Sequence, residues 1–160
     1  MIERIASVST TIAAVGCGIT AGVLLAFSVS VIPALRSQPQ DAAVSSMQQM
    51  NVEIVSPVFM TVFFGSAAAA VVAVMTSWMS PSAGNRILVT TGAALFVIGC
   101  VVVTSAINVP MNDALAAADP HSAAGLRTWS DYLTRWTRWN DARTVTAIAA
   151  CAALTVAAHR

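Results

Sequence analysis

Charge is what this chain has least of. Asp, Glu, Lys and Arg make up 9% of its 160 residues, against about 25% in a soluble domain. Lysine is absent, and all eight basic residues are Arg. So few charges cannot cover a water-facing surface, and a net charge of +1 without a basic cluster argues against nucleic acid and against a polybasic lipid patch. Cysteine is scarce too. Cys17, Cys100 and Cys151 form no Cys-x-x-Cys pair, which disfavours a vicinal-thiol oxidoreductase, and each falls mid-run, where a small apolar packing residue is the plain expectation. Histidine occurs twice, His121 in a loop and His159 in the tail, so no metal ligand set is expected. No phosphate-cradling glycine loop and no nucleophile elbow is present.

What is present is long apolar sequence. Residues 5–35, 54–85 and 87–112 contain no Asp, Glu, Lys or Arg, and roughly 20 apolar residues span a bilayer core of about 30 Å. A fourth run, 144–158, is fifteen residues long and reaches only about 22 Å, so it must borrow length from the residues before it. The expected fold is all-α: a four-helix transmembrane bundle, up-down-up-down, in a single integral membrane domain over 1–160. The expected helices cover about 5–32, 53–79, 87–109 and 127–158, with the first stopping near Pro33. Its apolar run is far longer than the roughly 7–15 residues of a signal h-region, so it is read as a retained helix. The long 1–2 and 3–4 connections share one membrane side. They carry Arg36, Arg127, Arg135, Arg138 and Arg143 against Arg4, Arg86 and Arg160 opposite, which leans toward cytoplasmic loops.

Small residues recur every four positions in helix 1 (Ala14, Gly18, Gly22, Ala26) and helix 2 (Gly65, Ala69, Ala73), a spacing that lets helices approach closely. Pro39 is placed to open a short amphipathic helix through Asn51, with Ala43, Met47, Met50 and Ile54 at helical spacing, lying at the interface. "SPSAGNR" reads as a tight polar turn, and "DALAAADPHSAAG" as a loop or frayed helix.

Two stretches carry chemistry. On a helical wheel through "LRTWSDYLTRWTRWNDARTVTAI", Tyr132, Leu133, Trp136, Trp139, Asn140 and Arg143 fall within about 80° of Trp129. Arg127, Asp131, Arg135, Arg138 and Asp141 fall opposite, as a solvated face does. Arg143 is different: if the fourth span borrows residues, it lies inside the apolar zone and points inward, where a charge costs roughly 2.5–3.5 kcal/mol and usually has a partner or a task. The alternative is snorkelling to the headgroups. In "NVPMND", Pro110 lacks an N–H and disfavours helix at Val109, so helix 3 is expected to open near Asn108. Asn108 and Asn112 either cap frayed backbone or line a polar pocket at the depth of Asn140 and Arg143. Phe27 and Pro33 at the end of helix 1, and Asn51 before helix 2, belong to the same membrane side.

"AGVLLAFSVSVIPAL", "MQQMN", "NVPMND" and "WTRWNDART" occur in that order, and together they resemble the anthrone oxygenase family, small four-helix membrane proteins of bacteria and fungi. The resemblance runs from about Ala21 to Thr144 and falls on Phe27, Pro33, Asn51, Asn108, Pro110, Asn112, Trp136, Trp139, Asn140 and Arg143. The chain departs from the family pattern at Asp141, which stands where the pattern has His. The resemblance implies a bacterial cell membrane protein that oxygenates an anthrone-like or other aromatic polyketide substrate with O2 and without a cofactor. Such chemistry needs an aromatic slot, donors for an enolate oxygen and a base. The expected catalytic residues are Arg143, Asn140, Asn108, Asn112 and Asp113. The expected substrate-binding residues are Trp129, Trp136, Trp139, Asn51 and Phe27. The expected partners are a hydrophobic aromatic molecule, O2 and the lipid bilayer, with a homo-oligomer or larger membrane complex left open. The competing expectation is a non-enzymatic binding or accessory subunit that holds a quinone-like ligand or a partner helix.

Overall fold

The computed structural model describes residues 1–80 and 85–159; most of the polar turn expected over 80–86 lies outside the described residues, as does Arg160. Four helices are long and apolar enough to cross a membrane: α1 (Ile2–Arg36), α3 (Pro57–Met79), α4 (Arg86–Ala116) and α5 (Ala123–Ala158). A shorter α2 (Gln40–Glu53) lies between the first two. Two of the starts are capped by a serine hydroxyl. Ser56 precedes Pro57, and its Oγ accepts from Phe59 N at 3.3 Å; Ser122 Oγ accepts from Gly125 N at 3.0 Å. These hydroxyls satisfy backbone donors that the first helical turn leaves open.

The bundle is a square with antiparallel neighbours. α1 packs on α3 and α5, and α4 packs on α5 and α3. The small-residue stripes expected from spacing meet neighbouring helices only in part: Ala14 and Ala73 are buried and Gly18 faces Cys151 of α5. Gly22, Ala26 and Gly65 are exposed, while Ala13, Gly16, Cys17, Thr20 and Leu24 of α1 are buried, as are Phe63, Ser66, Ala70 and Ala73 of α3. A Cβ on Gly16 would overlap Ser66 Oγ and lie 2.8 Å from Ser66 Cβ, so this glycine is what lets the two backbones meet. On the far side, a Cβ on Gly99 would lie 2.7 Å from Thr146 Cβ, and α4 and α5 use the same device.

Neither proline ends its helix. α1 was expected to stop near Pro33 and continues to Arg36; the third span was expected to open near Asn108 and continues to Ala116. Wide π turns precede both prolines, at Phe27–Val31 and Thr104–Asn108. Ile32 N–H bonds back five residues to Phe27 O, and Val109 N–H does the same to Thr104 O. The extra residue per turn makes room for the proline ring, and the helix goes on instead of fraying.

Beyond these turns, α2 covers the end of the bundle. Ala43, Val44 and Met47 are buried against Ile32, Leu35, Leu115, Trp129, Tyr132 and Trp136. Its apolar face therefore seats on protein, where the spacing alone had placed it at the interface. Gln48 Nε2 donates to the carbonyls of Leu115 (2.8 Å) and Ala118 (2.9 Å), which caps the last turn of α4.

Candidate functional site

Between this cap and the apolar bundle lies a cavity of about 260 Å³. Each helix contributes one face to it. α5 gives Trp136, Asn140 and Arg143, spaced at i, i+4 and i+7; α4 gives Thr104, Asn108 and Asn112, spaced at i, i+4 and i+8. α1 adds Val23, Leu24 and Phe27. α3 adds Phe59, Met60, Phe63 and Phe64, and α2 adds Asn51. Phe64, Val55, Ser105 and Val109 also line the cavity while being exposed on the molecular surface. α3 packs on α4 over Arg86–Phe96 and the two helices diverge beyond it, so the mouth faces sideways, between α3 and α4. A larger groove, about 570 Å³, runs over Trp78, Ile87 and Ile98 on the outer face. Among the described residues it contains no ionisable group and only two threonines, Thr90 and Thr91, whereas the smaller cavity gathers an arginine and four asparagines.

Arg143 is 5% exposed. Its Nη1 donates to Thr104 Oγ1 at 2.9 Å and its Nη2 to Asn140 Oδ1 at 2.8 Å. The guanidinium lies over the Trp136 ring, 5.6 Å from its centre, and Phe27 packs on that ring at 5.8 Å. Each partner is itself fixed. The Thr104 hydroxyl donates to Cys100 O at 2.7 Å, so its lone pairs face Arg143. Asn140 Nδ2 donates to Leu24 O and Ser28 Oγ, both at 2.8 Å, which turns its oxygen toward Arg143. The Leu24 carbonyl is within reach because the π turn begins just after it. Ser28 in turn donates to Asp141 Oδ1 at 2.6 Å. An exposed carboxylate is thereby linked through a hydroxyl and an amide to a buried cation.

Several polar atoms are left over. Asn108 is 1% exposed, and among the described residues neither atom of its amide has a hydrogen-bond partner; nor has Arg143 Nε, Trp136 Nε1 or the Thr20 hydroxyl. A buried donor without a partner costs about 1–3 kcal/mol; Asn108, Arg143 and Trp136 line the one cavity, and Thr20 does not.

The expected site residues divide as follows. Arg143, Asn140, Asn108, Asn112, Asn51, Trp136 and Phe27 line the cavity. Asp113, Trp129 and Trp139 do not. Asp113 is exposed, one position past Asn112 and therefore turned about 100° from it. Trp139, at the edge of the wheel, is 39% exposed. Trp129 is buried under α2 and stacks on Tyr132 at 5.8 Å. Ser28, Thr104, Phe59 and Phe63 were not singled out from sequence. Thr104 had a signal, four residues before Asn108 on the same face, and the Phe59–Phe63 pair had one in its helical spacing; Ser28 had none. Among the described residues, no group of three or more His, Cys, Asp or Glu is placed to hold a metal ion.

Fold and site together define an integral membrane protein whose four spanning helices enclose a polar, partly unsatisfied cavity at one end. Its sequence says which kind. The anthrone oxygenase family matches residues 59–153, and the chain belongs to that family. Comparison with curated proteins and with solved structures gives no match.

Proposed function

We infer that the cavity binds a flat, hydrophobic aromatic ketone of the anthrone type and promotes its reaction with O2. The observation that carries this is the set of unpartnered donors, Asn108 Nδ2, Arg143 Nε and Trp136 Nε1, on a cavity otherwise walled by Phe27, Phe59, Phe63 and Trp136. An oxygen on an apolar ring system suits donors of this kind once a small side-chain turn brings one of them to the cavity wall, and the rings fill the remainder. About 260 Å³ is just below the usual range of ligand pockets, about 300–1,000 Å³, which favours a small planar molecule. The sideways mouth suits a substrate dissolved in lipid.

The chemistry follows from the ligand. The C–H opposite the ketone of an anthrone is acidic because its loss gives an aromatic enolate. Donors held in place around the oxygen stabilise that negative charge without reorganising. The enolate gives one electron to O2, and the resulting carbon radical and superoxide combine as a peroxide at the same carbon. Loss of water, which takes the second hydrogen from that carbon, leaves the new carbonyl. One O2 is consumed, and the products are one quinone and one water.

A second reading is supported by one observation: among the described residues, no Asp, Glu or His lines the cavity. A site without a base fits a binding or accessory subunit that holds a quinone-like molecule. It also fits an enzyme that acts by stabilising the enolate, with the proton leaving to solvent. Purified protein in detergent, given the parent anthrone and followed by O2 electrode, separates the two. Saturable O2 uptake above the spontaneous rate supports the oxygenase. Quinone binding with no such uptake supports the carrier.

A further inference from the structure

We propose that Tyr132 is a clamp that sets Asn51 and Asn112 in opposite senses, so that this end of the cavity recognises a hydroxyl group on the ligand. The inference rests on the ligand site proposed above and deepens it. Tyr132 is buried and does not line the cavity itself. Its ring is held between two others, 5.8 Å from Trp129 and 5.6 Å from Trp136, with planes 18° and 17° from parallel. The ring therefore cannot swing, and its hydroxyl is a fixed point. That hydroxyl donates to Asn112 Oδ1 at 2.8 Å and accepts from Asn51 Nδ2 at 3.3 Å.

A phenol has one proton. It must donate to one amide and accept from the other. Asn112, its oxygen engaged, is left with its NH2; Asn51, one N–H engaged, is left with its oxygen. Exchanging O and N in both amides would swap the two roles and keep them opposite. Both side chains line the cavity, and the Tyr132 contact is the only side-chain hydrogen bond either makes among the described residues. The end of each amide turned away from Tyr132 is thus an NH2 in Asn112 and an oxygen in Asn51, a donor group beside an acceptor group. A ligand hydroxyl meets both, since it accepts from the NH2 and donates to the oxygen. A ketone or ether oxygen meets only the donor, and a bare ring edge meets neither. Arg143 and Trp136 offer donors only, so they suit an oxyanion. Asn108 and Asn112 are one turn apart, about 6 Å along α4, and the two chemically different ends would fix which way round the ligand sits.

The test compares two unreactive probes, 9,10-anthraquinone and 2-hydroxyanthraquinone, by quenching of tryptophan fluorescence in detergent. It uses the unmodified protein and Tyr132→Phe, which keeps the ring in the stack and removes only the hydroxyl. The unmodified protein should prefer the hydroxylated probe by about tenfold, the effect of one or two net hydrogen bonds. Tyr132→Phe should bind anthraquinone as before and lose most of that preference. Because each protein supplies its own ratio, detergent partitioning cancels. A merely structural role for the hydroxyl would lower thermal stability and weaken both probes alike, leaving the ratio unchanged; that outcome overturns the clamp. So does an unmodified protein that binds both probes equally. If it binds neither, the ligand site itself is wrong, and the clamp's role in recognition falls with it.

Discussion

At the scale of single residues, the site is a contrast between satisfied and unsatisfied groups. Arg143 is held on one edge by Thr104 and Asn140, and its planar fork is what makes both bonds possible while Nε remains available. Lysine keeps the charge but not the fork. Arg143→Lys should therefore lower anthrone-dependent O2 uptake by about 100- to 1,000-fold, the usual cost of losing one oxyanion donor. Affinity for anthraquinone should fall much less, since the charge develops only on the way to the transition state. Unchanged turnover at unchanged melting temperature would remove Arg143 from the chemistry. Asn108 makes the opposite kind of prediction. Its amide is buried with no partner among the described residues, so the free protein loses no hydrogen bond by its removal. Asn108→Leu should hold or raise the melting temperature in detergent, because an orphan amide costs about 1–3 kcal/mol, while ligand affinity drops. A clear fall in melting temperature would show that Asn108 is structural.

At the scale of helices, two local features shape the cavity. The π turns before Pro33 and Pro110 carry Phe27, Ser28, Thr104 and Asn108, all of which line the cavity or support it. Each of these two π turns has a proline two residues after its end, while a third, at Val97–Val102, has none; at the two proline turns, the residue that looks like a helix stop goes with the bend around the site. The second feature is the close approach of α1 and α3 at Gly16. An added methyl there meets Ser66, whose own hydroxyl is bound to Val62 O. Gly16→Ala should destabilise the bundle by about 1–3 kcal/mol, as overpacking commonly does. Gly22→Ala, with nothing within 4 Å of the added atom, should have little effect. Thermal melting of the two variants side by side measures the difference, and equal melting would mean that α1 packs by a different face.

At the scale of the molecule, the bundle is asymmetric along its axis. One end is plain apolar packing of small residues; the other carries α2, the aromatic stack and the cavity. Ser37, after α1, and His121, before α5, belong to the latter end. Cysteines placed there should react with a membrane-impermeant maleimide from the same side of sealed vesicles, and Ile2→Cys from the other. Cys17 and Cys100, buried in the bundle, should stay unlabelled until the protein is denatured. Labelling of Ser37→Cys and His121→Cys from opposite sides would break the four-span topology.

The sequence by itself determined the class of fold. Uninterrupted apolar runs leave a bilayer as the one solvent that suits them, and four such helices close into an antiparallel bundle. Periodicity also determined which face of α5 turns inward, because Trp136, Asn140 and Arg143 share one stripe and the mismatch of a charge with an apolar span marks Arg143 out. The tertiary structure alone decided which polar groups are used up and which remain free. Asn108 and Asn140 look alike in the sequence, yet Asn140 is fully bonded to α1 and to Arg143, while Asn108 has no partner among the described residues. The difference lies in what neighbouring helices present at that depth, the Leu24 carbonyl and Ser28 in one case and, among the described residues, no polar group within reach in the other. The prolines show the same limit. Sequence fixes the missing N–H, but whether the helix frays or widens depends on the energy gained by packing what lies beyond it. Here Leu35 and Leu115 are buried beneath α2, and that burial carries both helices past their prolines.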